Sequence, residues 1–180
     1  MEQPPRDTKD WTWTIQLRCP DCGLEAGDID VPEIADRIEA GAAEWVQILT
    51  QNPAADRRPS PAVWSPLEYG AHVRDALELY DARLVLMLIE DNPGFRNWDQ
   101  DEAAISGDYV RLDPDEVAGE ITAVVTTFVA RIRSLEESQL DRRGTRSDGV
   151  EFTVRTFLQY FLHDLVHHLW DVTGQQQVEA

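Results

Sequence analysis

Beyond residue 30, apolar residues recur every three or four positions, the spacing of helices that bury one face. The last such stretch is the clearest: Val154, Phe157, Leu158, Phe161, Leu162, Leu165 and Leu169 share one side of a helix. Three earlier stretches open on the same signal. Asp30-Val31-Pro32-Glu33, Ser65-Pro66-Leu67-Glu68 and Asp113-Pro114-Asp115-Glu116 each place a capping oxygen three residues before a glutamate, with proline in the first turn. These signals predict helices over residues 31–51, 65–91 and 114–138, the first two stopping before Pro53 and Pro93. A fourth helix is expected from Thr153 to Val172, with Gly174 as its terminator. Four long helices read as an all-α fold, a four-helix bundle. The first thirty residues are irregular. Trp11-Thr-Trp13-Thr-Ile15-Gln-Leu17 alternates as a short strand does, but one strand makes no sheet. The connection from Asn92 to Leu112 is long and carries Trp98, Asp99, Asp101 and Glu102, as binding loops and lids often do.

Composition narrows the function. The chain has 180 residues, enough for one domain with a small appendage. Sixteen basic against thirty-four acidic residues leave a net charge of −18, which disfavours nucleic acid and anionic membrane surfaces as partners. No apolar run approaches the ~20 residues that span a bilayer, and Met1-Glu2-Gln3-Pro4-Pro5-Arg6 lacks a signal-peptide core, so a cytoplasmic protein is expected. Lys9 is the one lysine and the other fifteen basic residues are arginine, a bias that fits a GC-rich genome.

The four histidines carry the chemistry. His72 falls in the second predicted helix; His163, His167 and His168 fall in the fourth. Bundles build metal sites from side chains on facing helices, and residues four apart share a face. Two such pairs compete in the fourth helix, His163 with His167 and Asp164 with His168. At ~100° per residue, His168 lies about 60° and Asp164 about 100° from the centre of the apolar face, whereas His163 and His167 lie about 160° away. The wheel therefore favours Asp164 and His168 as the inward pair, joined by His72 from the second helix. Two imidazoles and one carboxylate suit zinc or another divalent transition metal with a position left open. The same residues also read as half-buried packing histidines in a metal-free bundle.

Trp64-Ser-Pro-Leu-Glu-Tyr-Gly-Ala-His72-Val-Arg-Asp75 and His163-Asp-Leu-Val-His-His168-Leu-Trp-Asp-Val172 resemble the second-helix and last-helix motifs of the DinB/YfiT-like four-helix bundles. The nearest likeness is to the branch that includes the N-terminal domain of mycothiol-dependent maleylpyruvate isomerase. The resemblance covers residues 31–174, leaving an N-terminal extension over 1–30 and a tail over 175–180. It implies a divalent metal, commonly zinc or nickel, held by His72, Asp164 and His168, with aspartate where a longer glutamate is the usual carboxylate. It also implies a thiol-dependent transferase or isomerase, with mycothiol the expected thiol cosubstrate in a high-GC actinobacterium. No length remains here for the isomerase's second domain, so maleylpyruvate chemistry is not expected.

The resulting expectation is a metal-dependent thiol S-transferase acting on a small electrophile, with a non-catalytic metal-binding or stress-related protein as the alternative. The apolar bundle faces are compatible with a homodimer. Around the site, Asp171 and Asp75 are candidates to orient a metal-bound histidine, and Tyr160 to reach it. Trp98 and Tyr109 are expected to pack or to cover it. Cys19-Pro-Asp-Cys22-Gly23 looks like half of a zinc-ribbon knuckle. With no other cysteine, and the histidines assigned to the bundle, a second zinc within one chain is not expected. A structural role, a metal shared between two chains and a redox pair stay open.

Overall fold

Each long helix begins where a side chain satisfies backbone donors that have no partner inside the helix. Asp30 caps α1 (Val31–Gln51) by accepting from the Glu33 amide. Ser65 caps α2 (Pro66–Ile89) in a reciprocal box with Glu68. The short α3 (Gln100–Ser106) starts on Asp99, and α4 (Pro114–Arg133) on Asp113. Thr153 caps α5 (Val154–Thr173), which ends on Gly174 at φ 68°, a left-handed position that glycine takes without strain. The computed structural model describes Pro4 and residues 9–175. The rest of the expected tail and most of the first eight residues lie outside it. Among the described residues no helix is long and apolar enough to cross a membrane.

Several elements differ from the sequence expectation. α4 stops at Arg133 rather than 138, where the bonds tighten to the i−3 pattern, Ser134 amide to the Arg131 carbonyl and Leu135 amide to that of Ile132. The expected loop between α2 and α4 holds α3 and a short 3-10 turn, Tyr109–Arg111. The alternating Trp11–Leu17 stretch is no strand. Asp10 accepts from both the Thr12 amide and hydroxyl, and Thr12–Ile15 winds into a 3-10 turn.

The four long helices form the bundle, but not with sequential neighbours side by side. α1 and α2 each pack against both α4 and α5, so the consecutive pairs α1/α2 and α4/α5 sit across diagonals. Diagonal placement requires long connections, and the chain uses them as structure. Residues 143–145 and 151–153 pair as antiparallel strands β1 and β2, with Gly144 opposite Phe152. This hairpin closes α2: Arg142 donates to the carbonyls of Met87 and Glu90. Trp45, Phe128, Phe157 and Phe161 fill the interior between the helices. The N-terminal turns lie on α5, where the buried Gln159 amide donates to the carbonyls of Gly27 and Ile29.

Gly144 is fixed by space. A Cβ there would lie 2.4 Å from the Phe95 ring and 3.0 Å from the Met87 side chain. Gly144→Ala is expected to cost about 1–3 kcal/mol through overpacking. Urea unfolding should show a lower midpoint at unchanged slope; an unchanged midpoint would mean the hairpin yields freely.

Candidate metal centre

His72 projects from α2, and Asp164 and His168 project from successive turns of α5. The structure brings these three together: His72 Nε2 lies 3.7 Å from Asp164 Oδ2, and His168 Nε2 lies 3.6 Å from Asp164 Oδ1. One donor atom from each falls within 4.8 Å of the others. A tetrahedral ion with bonds of about 2.1 Å needs donors about 3.4 Å apart, so the spacing suits a shared cation better than direct hydrogen bonds. Both nitrogens of His72 are buried without a hydrogen-bond partner. An unpaired buried polar group is costly, and a cation at Nε2 relieves that cost at one of the two nitrogens.

His168 is oriented by its neighbour. Its Nδ1 lies 2.9 Å from Asp171 Oδ2. A proton on Nδ1 donated to that carboxylate leaves the Nε2 lone pair facing Asp164 and His72. Burial pushes the His72 imidazole below its ordinary pKa, with His168 adding to the effect and Asp164 opposing it. Burial acts to raise the Asp164 carboxyl, but the imidazoles of His168 and His72 outweigh it and hold the group well below the usual carboxylate range. A neutral imidazole beside an ionised carboxylate is the protonation state that a metal requires of its ligands.

Access is uneven. His72 is sealed, while the Asp164 side chain keeps 33% of its surface exposed. A cleft of about 550 Å³ opens onto Asp164, His168 and Asp171, walled by Trp11, Tyr69 and Trp98. A smaller cavity of about 150 Å³ reaches His72 and Asp164 beside Arg83 and Arg146.

The candidate supporting residues divide. Asp171 touches His168, and Trp98 stacks on His72 with ring centroids 5.4 Å apart. Tyr160 lines the cleft and its hydroxyl accepts from Arg146. Tyr109 does not cover the site; it is buried and its hydroxyl donates to Asp75, which also accepts from Arg74. Asp75 is thus taken up by those two neighbours rather than by His72.

The wheel argument misplaced one pair. His163 and His167, expected on the outer face, are buried, at 3% and 9% exposure. The N-terminal segment covers them: the Trp11 ring lies 5.6 Å from His163 and 4.7 Å from His167, and Cys19 Sγ lies 3.6 Å from His167 Nδ1. Burial carries the His163 imidazole down to about 4, with His167 adding to the effect. The Cys-x2-Cys and His-x3-His spacings were both present in the sequence as a signal; the long separation between them concealed the pairing.

The fold and the residues gathered in it define a four-helix bundle with a histidine–aspartate–histidine group at the mouth of a cleft. The chain belongs to the DinB superfamily, whose model matches residues 35–172. Among solved structures it is similar to YfiT from Bacillus subtilis, described as a probable metal-dependent hydrolase with an unusual four-helix bundle topology. The two share 18% sequence identity with a TM-score of 0.70, over 94% of this chain and 89% of that one. No curated protein matches it in sequence.

Proposed function

We propose that this protein is a metal-dependent enzyme in which His72, Asp164 and His168 hold a divalent cation, zinc or nickel, beside a small-molecule cleft. The observation that carries this reading is the buried His72, whose nitrogens lack hydrogen-bond partners while it faces a carboxylate and a second imidazole. Three protein ligands with an open side are the pattern of catalytic rather than structural sites, which separates an enzyme from a storage protein. A divalent cation held there supplies a nucleophile at neutral pH by lowering the pKa of a thiol or water bound to it.

The protein's own groups prepare the site. Asp171 fixes the His168 ring, Asp164 lies at the boundary of both cavities, and Trp98 shields His72 from solvent. We favour a low-molecular-weight thiol of the mycothiol type as cosubstrate and a small electrophile as its partner, in a reducing cytoplasm. The support is the likeness of both motifs to the thiol-dependent branch and the arginine-rich composition. Hydrolysis is the second reading, favoured by the description of YfiT; it replaces the thiol by water at the same position.

Elemental analysis of untagged protein tests the site. His168→Ala is expected to lose one metal equivalent relative to the wild type, and Asp171→Asn to bind that equivalent about 10–100-fold more weakly. A His168→Ala variant with its full complement of metal would refute the ligand set. Activity then separates the readings: consumption of an electrophile that requires added thiol supports transfer, and consumption in water alone supports hydrolysis.

A further inference from the structure

The second cluster of donors lies about 100° round α5 from the first, and its His163 and His167 also border the cleft. Cys19 and Cys22 are completely buried, as are His163 and His167 nearly so, and one donor atom from each of the four lies within 4.8 Å of the others. The arrangement comes from two local devices. Residues 19–23 form a tight knuckle: the Gly23 amide donates to the Cys19 carbonyl, and the Cys19 amide to the Leu24 carbonyl. Gly23 sits at φ 80°, where a side chain would be strained, and the turn leaves both sulfurs on one side. Burial pushes the Cys22 thiol up to about 12, with the bond from the Leu24 amide acting against it. On α5, the i,i+4 spacing turns His163 and His167 to the same face, with ring centroids 5.1 Å apart.

Direct bonding within the cluster does not satisfy it. The His163 Nε2 atom is buried without a hydrogen-bond partner. His167 Nδ1 points at the Cys19 sulfur at 3.6 Å, while its Nε2 faces Asp171 Oδ1 at 3.9 Å. Ligands around tetrahedral zinc stand about 3.3–3.8 Å apart, given bonds of about 2.0–2.3 Å. Trp11 closes the outside.

We infer that Cys19, Cys22, His163 and His167 form a second, closed metal centre that binds one zinc ion and fastens the N-terminal segment to α5. Binding forms two Zn–S and two Zn–N bonds and releases the two thiol protons to solvent. The two thiolates balance the charge of the ion, so the filled centre is neutral and suits a buried position. Two sulfurs and two imidazoles are the donor set of structural zinc. The histidines come from the same chain, so no second protomer is required. The centre does not depend on the His72–Asp164–His168 reading, but it supports that site's surroundings: the segment it holds contributes Lys9 and Trp11 to the cleft.

Cobalt is the probe. Protein stripped of metal under reducing conditions and reloaded with cobalt(II) alone should show a thiolate-to-cobalt charge-transfer band and strong tetrahedral ligand-field absorption. The band should persist in His168→Ala and vanish in Cys22→Ser, and zinc-loaded wild type should lose one equivalent in Cys22→Ser. Wild-type spectra decide the matter even if Cys22→Ser fails to fold. Cobalt bound without a charge-transfer band overturns this centre. So does a Cys19–Cys22 disulfide found in protein purified without reductant and unable to take up zinc once reduced. Loss of the band in both Cys22→Ser and folded His168→Ala would likewise overturn two separate centres. A band that persists while His168→Ala loses no metal would sink the catalytic site and leave this one standing.

Discussion

Glu68→Ala is expected to lower stability by about 3–5 kcal/mol, because it takes the carboxylate away from the largely buried Arg58 side chain. For a chain of this size the melting temperature should fall by about 6–20 °C. The two side chains are 4% and 8% exposed. Glu68 accepts from Arg58 Nε at 2.8 Å and from Arg58 Nη2, and takes both the Ser65 amide and hydroxyl at 2.9 Å. The carboxylate thus ties the connection between α1 and α2 to the first turn of α2, with Trp64 between them and against His72. Burial acts to raise the Glu68 pKa, but the bonds from Arg58 and Ser65 override it and the net shift is downward. A carboxyl with a lower pKa folded than unfolded adds stability above its unfolded value, near 4.5, and loses it as pH falls through the folded value. Thermal melts of wild type and Glu68→Gln should therefore converge only below pH 4.5, as pH falls through the folded value. Replacing both partners with apolar residues of similar volume should recover much of the loss, since it removes both charges. A Glu68→Ala melt within two degrees of wild type would refute the buried-pair account.

The second large effect concerns His72, whose two nitrogens are buried without a hydrogen-bond partner. His72→Leu is expected to leave the metal-free protein as stable as wild type or more so, because it removes two unpaired buried nitrogens. The same change should abolish the stabilisation gained when a metal fills the proposed His72–Asp164–His168 centre. With free metal at about 100 times its dissociation constant, that gain is about 2.7 kcal/mol, or roughly 5–11 °C. Differential scanning calorimetry with and without added zinc reads both quantities. A clear drop in the metal-free melting temperature would mean that the imidazole has a structural partner. An undiminished rise with zinc would remove His72 from the ligand set.

How far the chain could be read in advance depended on the range of the interaction involved. Caps are local: Asp30, Ser65, Asp113 and Thr153 each bond within three residues, so all four long-helix starts were legible. The i,i+4 relation of Asp164 and His168 is equally local, and their meeting with His72 followed from placing two amphipathic faces inward. The long-range features were hidden. Nothing in the turn chemistry of 143–153 announces that Gly144 must admit the Phe95 ring, or that α1 and α2 lie across a diagonal.

The clearest division runs through α5 itself. The sequence alone determined a helix with two metal-competent pairs, His163/His167 and Asp164/His168, on different faces, and a cysteine knuckle far away. A helical wheel measures one element against its own apolar face, and on that measure His163 and His167 belong to solvent. Only the tertiary structure laid residues 11–24 over that flank, burying both histidines beneath Trp11 and against Cys19. The reason is physical: spacing along a helix fixes which side chains share a face, but what covers that face is settled by packing between segments that sequence distance does not connect.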